Sequence, residues 1–253
     1  MIKISLVVIT YNEAQNIERC LQSARSLVEE ILVVDSFSED DTVEIAKNLG
    51  AKVIQHPFAG YREQRAYSIG QAKYDHVLVL DADEALSPGL VKSIAKVKES
   101  WNHDCYFVNR MSSMGDRWIR HGGWYPDRKM RLFDRNFYQS AGLNPHEKLV
   151  PKPGARVKHI PEDILHYTNT SIEDRISTIN RFSSIAAQAL WEKGRKGNLL
   201  RVLFKPALRF FIEFIWKFGF LDGFLGFVIA KTSAQYVFYR EIKLFTYEKN
   251  NKT

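Results

Sequence analysis

Over the first hundred residues, short β-branched apolar runs alternate with helical segments, and this constrains the fold more than any other feature of the sequence. Residues 4–9 (Ile-Ser-Leu-Val-Val-Ile), 31–34, 51–55 and 76–80 have the length and composition of buried strands. Between them lie residues 14–26, with Ile17, Leu21 and Ala24 at helical spacing, residues 42–49 closed by Gly50, and residues 62–72. Pro57 stops the third strand, and residues 88–98 read as a helix with Pro88 in its first turn. A βαβα order of this kind implies a parallel sheet with helices on both faces.

In such sheets ligands bind beyond the carboxyl ends of the strands. The residues at those positions are Thr10-Tyr11-Asn12-Glu13, Asp35-Ser36 and Asp81-Ala82-Asp83-Glu84. All three groups are polar and acidic. An Asp-x-Asp leaving a buried strand places alternate carboxylates on one side of an extended segment. Two such charges repel unless a cation lies near them, so the spacing points to a hard oxygen site for Mg²⁺ or Mn²⁺. The competing reading is that these acids cap the helix at Pro88 or solvate a loop.

From Cys105 to Leu149 the pattern changes to short strands, at 106–109 and 130–133, among Gly, Pro and charged residues. This is the pattern of a small antiparallel extension carrying functional loops. Trp118, Trp124 and Tyr125 stand among Gly115, Gly122 and Gly123, just before Asp127. They could form a wall for a sugar ring or a packed surface loop. From Ser171 the chain reads as helical. With 253 residues, 45% of them apolar, the chain suits one large domain or a domain plus an appendage. We place one domain at 1–168, in two halves, 1–100 and 101–168, followed by a helical segment at 169–253.

The net charge of +7 favours anionic partners: nucleic acid, phosphorylated small molecules or an anionic membrane. Cys20 and Cys105 stand alone, which indicates neither a disulfide framework nor a zinc site, and a reduced cytosolic compartment fits. Both are expected as small core residues, one in a helix and one in a strand. The 4–9 run is too short for a signal-peptide core, and no stretch reaches the roughly 18–20 uncharged apolar residues of a spanning helix. The nearest, 218–230, contains Asp222. Within 199–218 the charges Arg201, Lys205, Arg209, Glu213 and Lys217 recur every fourth residue in an otherwise apolar, aromatic segment. Pro206 is expected to start or kink a helix there. This composition describes a helix lying in an anionic membrane interface, with packing on the catalytic domain or in a dimer as the alternative.

The segments Val8-Ile9-Thr10-Tyr11-Asn12-Glu13, Val33-Val34-Asp35-Ser36-Phe37-Ser38-Glu39-Asp40-Asp41-Thr42 and Leu80-Asp81-Ala82-Asp83-Glu84 together resemble the family 2 glycosyltransferases of GT-A fold. The lipopolysaccharide core glucosyltransferase subgroup is resembled at Phe58-Ala59-Gly60-Tyr61-Arg62-Glu63-Gln64-Arg65, at Gly123-Trp124-Tyr125-Pro126-Asp127 with Arg131-Leu132-Phe133, and at Pro145-His146-Glu147-Lys148-Leu149. The resemblance implies a Rossmann-like, mostly parallel sheet flanked by helices, a small antiparallel extension and a C-terminal helical, membrane-associating tail. It implies an inverting, metal-dependent transfer of a hexose, with UDP-glucose the expected donor, onto lipopolysaccharide inner core or a similar lipid-linked acceptor. The expected location is cytoplasmic, peripheral on the inner face of the cell membrane, with no nucleic-acid partner.

Carried over by position, Thr10, Tyr11 and Glu13 lie near the base and ribose, and Asp35 accepts from the N3–H of a uracil. Arg62 and Arg65 lie near the diphosphate. Asp81, with Ala82, meets the ribose or sugar, Asp83 holds the metal, and His166 of His166-Tyr167 joins it. Where many relatives carry Glu-Asp as the base motif, this chain has His146-Glu147. Glu147 is therefore the expected base, with His146 the other candidate. Trp124, Tyr125, Asp127 and His146 would face the acceptor or sugar.

Each residue also has a plainer reading. Glu13 could be an acid at a helix N-terminus, Asp35-Ser36 a turn and cap, and Arg62 and Arg65 a solvated helix face. His166 could be a hydrogen-bonded structural histidine, and Glu147 a surface ion pair with Lys148 or Arg131. Two other function classes compete. A sugar nucleotidyltransferase would carry a Gly- and Arg-rich first loop, and the first loop here is Tyr-Asn-Glu. A non-catalytic membrane-surface or nucleic-acid binder would leave three acidic strand ends unexplained.

Overall fold

The computed structural model describes residues 1–142, 147–168 and 171–250. The chain divides into two compact units, Met1–Arg110 with Asp127–Tyr167, and Met111–Pro126 with Thr168–Thr253. The second unit thus takes in residues 111–126 as well as the C-terminal helices.

The first unit opens with β1 (Ile4–Thr10), α1 (Ile17–Ala24), β2 (Glu30–Asp35), α2 (Thr42–Asn48), β3 (Lys52–Gln55), α3 (Tyr61–Gly70) and β4 (His76–Asp81). A short β5 (Glu84–Leu86), α4 (Pro88–Glu99) and β6 (Cys105–Met114) follow. After β7 (Arg117–Trp118) come β8 (Asp127–Asp134), β9 (Tyr138–Ala141), β10 (Lys148–Pro151) and β11 (Val157–His166). The main sheet runs β3-β2-β1-β4-β8-β6-β11-β5, and β9 and β10 form a separate antiparallel pair. Strands β3, β2, β1 and β4 are mutually parallel, whereas β8 is antiparallel to β4, and β6 to β8.

The parallel strands are apolar at consecutive positions because helices cover both faces. Ile4, Leu6 and Val8, with Leu78 and Leu80, meet Ile17, Leu21, Leu90 and Ile94 on one side. Val7, Leu32, Val34, Val77 and Val79 meet Ile69 and Ala72 on the other. Cys20 and Cys105 are buried free thiols. Burial pushes the Cys20 thiol well above its ordinary pKa and the Cys105 thiol up to about 11, which suits inert core residues. The acids after β4 do not cap the next helix. Ser87 caps α4, its hydroxyl accepting from Leu90 N at 3.2 Å.

The second unit contains α5 (Ile172–Glu192), α6 (Leu199–Phe211) and α7 (Gly223–Asn250). Between the last two lie a π-helical turn, Ile212–Trp216, and a 3₁₀ turn, Gly219–Asp222. Met114 and Ile119 pack on Ile229, which ties residues 111–126 to α7. Asn198 caps α6, and Pro206 lies inside that helix rather than at its start.

Leu78 is fully buried at the centre of the main sheet, paired with Leu6 on one side and Leu132 on the other. Leu78→Ala should destabilise the protein by about 2–5 kcal/mol, read from chemical denaturation followed by circular dichroism.

Candidate functional site

The carboxyl ends of β1, β2 and β4 are level, because the sheet register pairs Thr10 with Asp35 and Ile9 with Asp81. A cleft of about 1080 Å³ opens at this edge. Thr10, Tyr11, Glu13, Arg65, Asp81, Ala82, Asp83, Asp127, Glu147 and His166 all line it. Its volume is at the upper end of the range for small-molecule sites.

A chain of alternating charges crosses the floor. Arg65 Nε binds Glu147 Oε1, and its Nη2 lies 2.8 Å from Asp81 Oδ1. Arg131 Nη2 lies 2.7 Å from Asp81 Oδ2 and 2.6 Å from Glu84 Oε1. Arg110 reaches Glu84 at 3.5 Å and Asp127 at 2.8 Å. Glu84 Oε2 also accepts from Asp81 N at 3.1 Å. Burial alone would raise the Asp81 pKa, but the Arg131 and Arg65 guanidiniums override it and hold the carboxyl well below its ordinary value. For Glu84, burial and the Asp81 charge prevail over Arg131, and its pKa is raised.

Asp83 differs from Asp81. Residues 82 and 83 form a turn, so the two carboxylates do not project from one extended segment as expected. The hydrogen-bond partner of the Asp83 carboxylate among the described residues is His166, with Nε2 and Oδ2 3.1 Å apart. The pairing follows from the backbone: β5 and β11 are antiparallel with Glu84 opposite His166, and Tyr167 N donates to Asp83 O at 2.9 Å. Burial raises the Glu13 pKa, and the Asp83, Asp40 and Asp81 charges add to this against the hydrogen bond from Asn16. Among the described residues no three His, Cys, Asp or Glu side chains gather as a complete metal site. A carboxylate beside an imidazole at the cleft nevertheless fits a divalent cation whose remaining ligands are substrate oxygens and water.

The other expected residues fall as follows. Thr10 Oγ1 is buried at the cleft without a hydrogen-bond partner among the described residues, and Tyr11 is exposed there. Asp35 is buried and does not line the cleft. Its carboxylate accepts from Ser38 N at 2.9 Å and from the Ser38 hydroxyl, the geometry of a turn. Arg65 is buried rather than on a solvated face, because α3 turns Gln64, Arg65, Ser68 and Ile69 inward; Arg62, three positions earlier, is exposed and outside the cleft lining. Glu147 is a buried partner of Arg65, and neither Lys148 nor Arg131 pairs with it. Its Oε2 is buried and has no hydrogen-bond partner among the described residues. Trp124 and Tyr125 belong to the second unit and are not among the cleft residues; the Arg175 guanidinium lies 4.7 Å from the Trp124 ring. His146 lies outside the described residues.

Sequence reasoning missed Gln64, Glu84, Arg110 and Arg131 as working parts of the site. Gln64 joins the strand ends by donating to Ser36 Oγ at 3.1 Å and to His56 O at 3.2 Å. The available signal was polar residues at the inward-facing positions of α3 and β8.

The model of glycosyl transferase family 2 matches residues 5–153. An uncharacterized glycosyltransferase of Rickettsia felis is 33% identical, covering 96% of this chain and 90% of its own. The lipopolysaccharide core biosynthesis glycosyltransferase LpsC of Rhizobium meliloti is 23% identical over 96% of this chain and 92% of its own. Two crystal structures share the fold at a TM-score of 0.50. S. aureus TarS 1-349 in complex with UDP-GlcNAc is 15% identical and covers 98% of this chain and 92% of its own. Glucosyl-3-phosphoglycerate synthase from Mycobacterium tuberculosis in complex with phosphoglyceric acid is 18% identical and covers 78% and 82%.

Arg131→Met would leave buried Glu84 and partly buried Asp81 without their shared cation and should cost about 3–5 kcal/mol at neutral pH. The depressed pKa of Asp81 stabilises the folded state above the unfolded value of about 3.9 and is lost as pH falls below it. Glu84, with a raised pKa, has the opposite sign, so this window belongs to Asp81. The gap in melting temperature between wild type and variant should therefore be widest at neutral pH and narrow below about pH 4.

Proposed function

The chain belongs to glycosyl transferase family 2, and from this premise we propose the reaction performed at its cleft. A hexose passes from a nucleoside-diphosphate sugar, UDP-glucose foremost, to a saccharide of the lipopolysaccharide inner-core kind, with inversion at the anomeric carbon. The observation that carries this reading is the division between Asp81, neutralised by two arginines, and Asp83, left to His166 at the cleft. The similarity to LpsC supports the acceptor class, and TarS crystallised with UDP-GlcNAc supports a uridine nucleotide.

In this proposal Thr10, Tyr11 and Glu13 receive the nucleoside, and Asp81 and Ala82 border the sugar. Asp83 and His166 would hold Mg²⁺ or Mn²⁺, which when bound supplies positive charge toward the departing diphosphate. Glu147 takes the proton of the acceptor hydroxyl as that oxygen bonds to the anomeric carbon and the bond to the diphosphate breaks. Arg65 fixes one carboxylate oxygen of Glu147 and leaves Oε2 to accept the proton. Because the acceptor is lipid-linked, the protein would work at the inner face of the cell membrane as a peripheral protein.

Thermal unfolding with UDP and with GDP, each with and without Mn²⁺, tests the donor site. UDP with Mn²⁺ at about 100 times its dissociation constant should stabilise the wild type by roughly 2.7 kcal/mol, and Asp83→Ala should lose the metal-dependent part. No shift with either nucleotide would overturn the donor site. Glu147→Gln should keep the UDP shift while its transfer rate falls ~10²–10⁴-fold. An undiminished rate would remove Glu147 as the base.

A further inference from the structure

One face of the second unit reverses the usual placement of polar and apolar side chains. Along α6, Leu199, Leu200, Leu203, Phe204, Leu208 and Phe211 are each more than half exposed. At helical spacing they share one face. The opposite side carries buried Val202 with Lys205 and Arg209, which turn to the buried carboxylates of Glu241 and Glu213. The row of charges expected on the outside of this segment is thus partly drawn inward, because α7 supplies Glu241 and the π-helical turn rotates Glu213 inside. Beyond α6 the exposed apolar series continues through Ile215, Trp216, Phe218, Phe220, Leu221 and Phe224. Trp216 and Phe224 are 74% and 71% exposed. An apolar face of this extent marks an interaction site.

The charge around it is one-sided. Between residues 193 and 231 the exposed charged residues are Lys193, Lys196, Arg201, Lys217 and Lys231, with Arg209 half-exposed but paired to Glu213. The two acids in the same stretch are withdrawn, Glu213 keeping 2% of its side-chain surface and Asp222 8%. Asp222 is held by the N–H groups of Arg120 at 3.2 Å and His121 at 2.8 Å. Glu213 fills the space beside Gly123 that a Cβ there would occupy.

We propose that this face inserts into one leaflet of a bilayer containing anionic lipid. The apolar side chains of α6 and of residues 215–224 enter the boundary between headgroups and acyl chains, and the basic residues meet anionic headgroups. Among the described residues no helix is long and apolar enough to cross a membrane, so insertion is from one side. A second copy of the chain would bring like charges together, which disfavours self-association through this face. The inference rests on the proposed lipid-linked acceptor for its purpose. Vesicle binding is measured without sugar transfer, so the two readings fail separately.

The test is flotation of the full chain with phosphatidylcholine vesicles, with and without phosphatidylglycerol. Binding should require the anionic lipid and weaken as salt is raised. Bromo-lipids should quench tryptophan fluorescence, and Trp216→Phe should remove most of that quenching. Phe204→Glu combined with Trp216→Glu should reduce binding at least about tenfold with thermal unfolding unchanged, since both side chains are exposed. Absence of flotation, equal binding to neutral vesicles, or binding untouched by the double variant would each overturn the proposal. So would a dimer in light scattering that the double variant dissociates, which assigns the face to a second copy.

Discussion

Arg131 is the interaction on which the arrangement of the cleft depends. It projects from β8, an antiparallel strand, and binds Asp81 at the end of parallel β4 and Glu84 at the start of β5. One guanidinium thereby fixes the point where the parallel and antiparallel parts of the sheet meet. Glu84 is fully buried and Asp81 partly so, and a buried carboxylate without its cation would cost several kcal/mol. Arg65 extends the same network from α3 to Glu147. The bridging charges hold side chains from distant parts of the sequence in one constellation.

The network also separates two acids that look alike in sequence. Asp81 is saturated by guanidinium groups and stays ionised at any pH near neutrality. Asp83 lies one turn residue further on, where β11 brings a histidine to it. A divalent cation competes poorly for a carboxylate already bound by two arginines. Asp83 is therefore the better proposed ligand for a physical reason that the Asp-x-Asp spacing does not contain. Glu147 follows the same logic, one oxygen fixed by Arg65 and the other without a partner among the described residues.

In the second unit the hydrophobic effect and the ion pairs divide differently. Carboxylates Glu213, Glu241 and Asp222 are buried among basic side chains and backbone N–H groups, while large apolar side chains face outward. Water rewards the reverse arrangement, which is why an apolar environment is the natural partner of this face.

The alternation of strands and helices was legible in the sequence because it rests on local periodicity. The strand ends were legible too, so Thr10, Glu13, Asp81 and Asp83 could be named before their geometry was known, whereas Glu147 and His166 were named only through the family resemblance. The partners of those residues could not. Arg65 meets Glu147 across 82 positions and Arg131 meets Asp81 across 50, and no local pattern encodes such pairings. Asp35 and Arg62 show the limit from the other side. Each stands in a motif at a strand end or helix start, yet Asp35 is turned into its own Ser38 turn and Arg62 lies one helical step outside the cleft. Sequence alone determined the four parallel strands and the polar groups that follow them, because backbone propensity and burial act over a few residues. Tertiary structure alone decided which acid is neutralised, which keeps an unpartnered oxygen and which side of α6 faces out, because charge pairing and helix phase depend on what packs opposite.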